Sequence, residues 1–160
     1  MSSALIGYTG FVGSNLLRQA HFDDLYNSKN IADIRGKSYD LVVCAGAPAE
    51  KWRADKEPQT DILNLMELVG HLIYVEARRF VLISTVDVYG KPTEVNEDSV
   101  TRSFFPRGYG ANRAWLERVI SGIFENVQIF RLGAVFGAGL KKNAIYDLIH
   151  NTGFSHNDCD

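Results

Sequence analysis

The chain opens on a turn that few folds can use. Ala4-Leu5-Ile6 is a short apolar run, Gly7-Tyr8-Thr9-Gly10-Phe11-Val12-Gly13 carries three glycines, and Ser14-Asn15-Leu16-Leu17-Arg18-Gln19-Ala20 reads as the first turns of a helix. Strand, glycine turn, helix is the opening unit of an open α/β sheet. Each glycine has a physical task if a dinucleotide pyrophosphate rests on the helix N-terminus. Gly7 permits the tight turn, Gly10 lets the backbone approach the phosphates, and Gly13 lets the helix pack close to the strand. Backbone N–H groups would do the binding, with Thr9, Phe11 and Val12 set around the phosphates by the same turn. Three glycines in an ordinary βα turn is the plainer alternative.

A length of 160 residues with 46% hydrophobic content suits one core and leaves little for a second. The net charge of −2, from 17 basic and 19 acidic side chains, argues for neither a nucleic-acid nor a membrane-surface partner. Cys44 and Cys159 are the only cysteines. They make no disulfide framework and no paired metal motif, which fits a reducing cytoplasm. The start runs from Met-Ser-Ser into a strand, so neither a signal nor a membrane span is expected.

The second strand is expected around Asp24 to Tyr26, and in a dinucleotide fold such a strand often ends in an acid that holds the adenosine ribose. Here Asn27-Ser28-Lys29-Asn30 follows, a neutral and basic group that suits a ribose 2′-phosphate, with Asn27 and Ser28 as the cofactor contacts. A helix N-cap at Ser28 or Asn30 is the alternative. The stretch is short for a full crossover, so one element should be trimmed. Tyr39 to Cys44 is a buried parallel strand running into the small residues Ala45, Gly46 and Ala47, where a ligand can approach. Cys44 at such a place is a packing residue or, at longer odds, a thiol with chemistry.

Lys51 to Thr60 reads as a polar loop, and Ile62, Leu65, Met66, Val69, Leu72 and Ile73 as the apolar stripe of a core helix. An apolar strand from Phe80 delivers Ser84 and Thr85 at its C-terminal end, where ligands of open α/β sheets collect. Lys91 to Gly108 is loop-like, with Pro92 and Pro106 as breakers. A helix beginning at Tyr109 places residues 109 and 113 on one face and carries Trp115, Leu116, Val119, Ile120, Ile123 and Phe124 as its stripe. A last strand covers Val127 to Arg131, and Ala144 to His150 begins another helix. Lys141 and Lys142 read as a solvated basic patch or as phosphate contacts. His150, His156, Asp158 and Cys159 lack matched metal-ligand spacing.

Three stretches carry a family resemblance. Gly-x-x-Gly-x-x-Gly with Thr9, Ser84-Thr85-Val86-Asp87-Val88-Tyr89-Gly90, and Tyr109-Gly110-Ala111-Asn112-Arg113 stand in the order found in extended short-chain dehydrogenases/reductases. Arg131-Leu132-Gly133-Ala134-Val135-Phe136-Gly137-Ala138-Gly139 resembles the passage after which that family's substrate domain begins. The resemblance, to the NAD-dependent epimerase/dehydratase family, covers nearly the whole chain. It implies that Ala45 and Gly46 run beneath the cofactor, where Cys44 replaces the usual asparagine, and that Ser84 lies beside the nicotinamide. It also implies that Thr85 hydrogen-bonds the reacting substrate oxygen and that Tyr109 is the acid/base. The family pairs that tyrosine with a lysine four residues on, which favours the phenolate and holds the nicotinamide ribose; here it is Arg113. Arginine keeps the charge but not the geometry. Tyr109 read plainly is a half-buried aromatic at a helix start.

The expected fold is a doubly wound parallel sheet, a three-layer α/β/α Rossmann-like domain over residues 1–150, with a polar tail at 151–160 where a substrate domain would start. Strands are expected near 3–7, 24–27, 40–45, 80–84 and 127–131. The resemblance implies an NAD- or NADP-dependent oxidoreductase or epimerase, NADP favoured, acting on a nucleotide-linked sugar in polysaccharide synthesis. It also implies a homodimer through the Tyr109 helix; the unmatched spacing of the His, Asp and Cys residues sets the expectation of no metal. A non-catalytic NAD(P)-binding module is the competing reading, since residue 113 departs from the pattern and the substrate domain is absent. A purely structural domain is the third.

Overall fold

The computed structural model describes residues 1–90, 93–102, 107–137 and 139–140. Its elements in chain order are β1 (Ser3–Ile6), α1 (Phe11–Gln19), β2 (Asp24–Tyr26), a 3-10 turn (Ile31–Ile34), β3 (Ser38–Tyr39) and β4 (Leu41–Cys44). Then come α2 (Lys51–Lys56), α3 (Pro58–Leu72), β5 (Glu76–Ala77), β6 (Phe80–Thr85), a 3-10 turn (Val86–Tyr89), α4 (Tyr109–Ile123) and β7 (Val127–Leu132).

Five strands form one parallel sheet in the order β2-β1-β4-β6-β7. The chain therefore goes from β1 outward to β2, then returns to the other side of β1. That reversal makes the β1–β4 boundary the topological switch point, where the crevice for a ligand opens at the strands' C-terminal ends. The expected doubly wound sheet is present, with each strand within two residues of its expected place. The trimmed element is the crossover after β2. In place of a helix and a third long strand stand the 3-10 turn and β3, which pairs with β5 in a separate two-stranded ladder.

Side-chain alternation sorts the sheet into two faces. Ala4, Ile6, Val42, Cys44, Phe80 and Leu82 join Ile62, Leu65 and Leu72 of α3 and Leu116, Ile120 and Phe124 of α4 in one core, with Phe80 stacked on Phe124 at 4.3 Å. Leu5, fully buried yet outside that cluster, points to the opposite face. Right-handed crossovers on either side of the switch point bring α1 there.

Two expectations need correction. Lys51 to Thr60 is not a loop: Lys51–Lys56 is a helix and α3 already starts at Pro58; α2 lays Ala54 inward and its other side chains, Trp52 included, outward, so its buried signal is one residue wide. The stripe on α3 is narrower than its sequence suggests. Ile62, Leu65 and Leu72 are buried, while Met66 and Ile73 are exposed along with Leu63 and Tyr74, because buried Asp61 and His71 take up part of the inward face. Lys91, Pro92, Pro106, Lys141, Lys142, the helix expected over Ala144 to His150, and the tail with His156, Asp158 and Cys159 lie outside the described residues. Among the described residues, no helix is long and apolar enough to cross a membrane.

Candidate functional site

The turn after β1 is held open by what its glycines lack. Gly7 has φ +82°, and its N–H donates to the Tyr26 carbonyl at 2.7 Å. A Cβ on Gly7 would lie 2.4 Å from the Ala45 carbonyl oxygen, and one on Gly13 would lie 2.1 Å from the Gly7 carbonyl oxygen. No side chain fits at either place. Helix α1 and the start of the β4–α2 connection therefore close to backbone contact at the switch point. Gly10 is the N-cap of α1, and no side chain caps the helix. The N–H groups of its first turn, at Phe11, Val12 and Gly13, have no carbonyl one turn back within the helix. They form an electropositive end beside the exposed Thr9 and Gly10. Gly10 itself is freer than the other two, since a Cβ there would meet only the Gly7 carbonyl oxygen, at 3.3 Å.

The Cys44 side chain faces the core and is almost fully buried. Burial pushes its thiol up to about 11, so it is a neutral packing group. Ala45 and Gly46 continue from it along the floor of the crevice, with the Ala45 N–H on the Ile6 carbonyl at 2.9 Å.

Beyond β2, Asn27 ties the turn together. Its N–H donates to Asn30 Oδ1 at 2.7 Å, its Oδ1 accepts from the Lys29 N–H at 2.8 Å, and its Nδ2 donates to the Tyr8 hydroxyl at 3.1 Å. Asn30 makes no side-chain cap to the 3-10 turn. Ser28 and Lys29 are left exposed at the tip. The acid of this strand, Asp24, stands at its start and is engaged by the Tyr39 hydroxyl at 2.5 Å and Lys37 Nζ at 2.9 Å. Those bonds, Tyr39 first, hold its carboxyl below the usual carboxylate range.

The Ser84, Thr85 and Tyr109 region is built of charges in pairs. Thr85 Oγ1 donates to Asp87 Oδ2 at 2.9 Å and accepts from the Asp87 N–H at 3.2 Å. Lys51 Nζ sits on the other Asp87 oxygen at 2.9 Å. Ser84 Oγ donates to Glu117 Oε1 at 2.5 Å, and the Arg131 guanidinium clasps both Glu117 oxygens while reaching the Tyr89 hydroxyl. The start of α4 is pinned by Asp55 Oδ1, which accepts the Tyr109 N–H at 2.7 Å. A Cβ on Gly110 would lie 2.2 Å from the Asp87 carbonyl oxygen, so α4 begins directly against the turn after Thr85.

Arg113 is almost fully buried, and Asp61 of α3 holds it with two bonds of 2.9 Å, one to each terminal nitrogen. One of those nitrogens also donates to the Pro48 carbonyl, and Asn112 Nδ2 donates to the same Asp61 at 2.7 Å. The guanidinium carbon lies 4.5 Å from the centroid of the Tyr109 ring. Burial raises the Tyr109 phenol above its ordinary value; Arg113 opposes this and Asp87 adds to it.

The structure thus brings Thr85, Tyr109 and Arg113 to one end of the sheet, with Gly7, Gly10, Gly13, Ala45 and Gly46 at the switch point. Asp61, Asp87, Glu117 and Arg131 were not singled out in the sequence. Only Arg113 and Glu117, four apart on α4, offered a local hint. Among the described residues, no group of His, Cys, Asp and Glu side chains could hold a metal ion.

No protein-family model matches the chain, and no characterised relative matches it in sequence. Solved structures do match in shape. A dTDP-4-dehydrorhamnose reductase from Bacillus anthracis, in complex with NADP, superposes with a TM-score of 0.73 at 18% identity, over 94% of this chain and 59% of that one. RMD from Pseudomonas aeruginosa, complexed with NADPH, gives 0.64 at 21% over 88% and 56%. A UDP-glucuronic acid 4-epimerase from Bacillus cereus, in complex with NAD, gives 0.62 at 18% over 86% and 57%. The chain spans under two-thirds of the length of each. At these identities the likeness establishes the Rossmann-type fold.

Proposed function

We propose that the chain binds NAD or NADP across the β1–β4 switch point and serves an oxidoreductase or epimerase acting on a nucleotide-linked sugar. The observation that carries this is the cradle. An uncapped helix N-terminus stands behind two glycines that admit no side chain, at the place where open α/β sheets take their ligands. The donor set fits a pyrophosphate. Phe11, Val12 and Gly13 would offer N–H groups to it over Gly10, whose own N–H is taken by the Gly7 carbonyl at 3.0 Å, with Thr9 at the rim and Ala45 and Gly46 as the floor. The turn at Asn27 and Ser28 would take the adenosine ribose. It presents exposed Ser28 and Lys29 and no carboxylate, which favours NADP over NAD.

When bound, the nicotinamide supplies or accepts the hydride. Tyr109 then exchanges a proton with the substrate oxygen, and Thr85 polarises that oxygen once its O–H turns from Asp87. Ser84 stays on Glu117 and stiffens the strand end beside the nicotinamide. The place of such a reaction is the making of cell-surface polysaccharide precursors in the cytoplasm. The exposed residues of α3 beside α4 support pairing of two copies there. In a screen of nucleotide-linked keto- and hydroxy-sugars, nicotinamide absorbance should change with one of them, and Tyr109→Phe should abolish that change. Unchanged turnover in Tyr109→Phe removes the acid/base assignment.

The chelation of Arg113 by Asp61 favours a second reading, a dinucleotide-binding module without catalysis. Both terminal nitrogens already have acceptors, so residue 113 has little left for a ribose. Arg113→Lys separates the two readings: a large gain in hydride transfer says that the arginine is a handicap, and no transfer in either form supports the module.

A further inference from the structure

Arg113 is the one charge on α4 that touches the Tyr109 ring, and its partner comes from another helix, 52 residues earlier. The side chains of Arg113 and Asp61 are 3% and 4% exposed. The geometry is a two-toothed fork: each carboxylate oxygen meets one terminal nitrogen at 2.9 Å. Asn112 and the Pro48 carbonyl complete the cage, while Arg113 Nε has no protein partner. A guanidinium so held cannot swing out, and in a dry site a carboxylate in direct contact offsets part of its field.

We propose that Asp61 is a positioning residue: by chelating the Arg113 guanidinium it fixes that group beneath the Tyr109 ring and compensates its charge. This rests on the reading of Tyr109 as the proton-exchanging group, and assigns to α3 the control of its readiness. Other charges face Tyr109 from every neighbouring element. Asp87, with Lys51 on its far oxygen, stands in the turn after β6; Asp55 of α2 accepts the Tyr109 N–H; Asp61 stands on α3. Asp87 and Asp61 thus act on the phenol against one adjacent cation, and that cation is the one Asp61 holds. Removing the charge of Asp61 leaves Arg113 opposed at the phenol only by Asp87.

The test is alkaline difference titration of the Tyr109 phenolate in the free protein, with a Tyr109→Phe blank for each background. Asp61→Asn keeps the shape and one acceptor but removes the charge. Its phenol midpoint should fall by about one pH unit or more, as for an opposite charge released within a few ångström. An unchanged midpoint in folded Asp61→Asn overturns the proposal. Should an uncompensated buried arginine prevent folding, Asp61→Asn/Arg113→Gln tests the same claim with no charge left in the cage. If Asp61 compensates Arg113, removing both moves the midpoint by less than about a unit from the parent. A rise of about a unit or more would mean that Arg113 had been acting freely, and would overturn the proposal. Parallel NADPH titration of the parent keeps the two readings apart. A failed phenol titration with NADPH bound discards the role of Asp61 alone. The expected phenol shifts without NADPH binding discard the cofactor reading alone.

Discussion

The glycine cradle and the Tyr109 cluster share the C-terminal edge of one sheet, but they are built in opposite ways. The cradle is made by omission: Gly7 and Gly13 leave out side chains so that backbone can meet backbone, and α1 leaves its N-terminus uncapped. The Tyr109 cluster is made by surplus, with Lys51–Asp87, Arg113–Asp61 and Arg131–Glu117 pairing almost every charge in reach. A site made by omission is ready for a charged ligand without rearrangement. A site whose charges are mutually satisfied is stable as it stands, and any ligand must compete for its donors.

The largest expected effect breaks the surplus. Asp61→Ala leaves a buried arginine uncompensated and should lower unfolding stability by about 3–5 kcal/mol in urea titration. An Asp61→Leu/Arg113→Met replacement should recover most of that, since a well-packed apolar pair stands in for a buried ion pair at little cost. A loss under about 1 kcal/mol for Asp61→Ala would show the pair to be solvated like a surface bridge.

Next is the cradle's own sterics. Gly13→Ala sets a methyl 2.1 Å from the Gly7 carbonyl oxygen, and α1 must move away from the strand. We expect a loss of about 1–3 kcal/mol by the same measurement. A neutral result would mean that helix and strand are not in contact as described.

A smaller effect lies at the β2 edge, away from both sites. Asp24 is bonded by Tyr39 and Lys37, and its folded value is below the ordinary 3.8. Its contribution is therefore present above about pH 4 and lost as pH falls through the lower folded value. With the Asp24 side chain 38% exposed, it amounts to no more than about 1 kcal/mol. The stability gap between the parent and Asp24→Asn should close on acidification. A gap that stays constant to strongly acid pH would assign the effect to packing.

The same contrast explains what could be read from the sequence. Gly7, Gly10 and Gly13 act through local backbone, so their spacing disclosed the cradle, and the apolar runs at 41–44 and 80–83 disclosed the strands beside it. Asp61 and Arg113 are polar residues whose burial exists only because α3 and α4 pack together, a fact that no local period encodes. Glu117 meets Arg131 in the same way, across the gap from helix to strand. Helix α2 was hidden for a different reason: with Ala54 its only buried residue, it has no stripe to see.

Gly10 isolates the central claim, because its position accepts a side chain that the ligand would not. Gly10→Asp places a favoured N-cap on α1 and should leave stability unchanged or raised by a few tenths of a kcal/mol, roughly. The same carboxylate would occupy and repel the pyrophosphate site. The decisive measurement is nicotinamide fluorescence titration of the parent and Gly10→Asp with NADPH and NADH in parallel. The account predicts saturable binding by the parent, tighter for NADPH, and none by a folded Gly10→Asp. Equal binding by both proteins, or none by the parent, would contradict it.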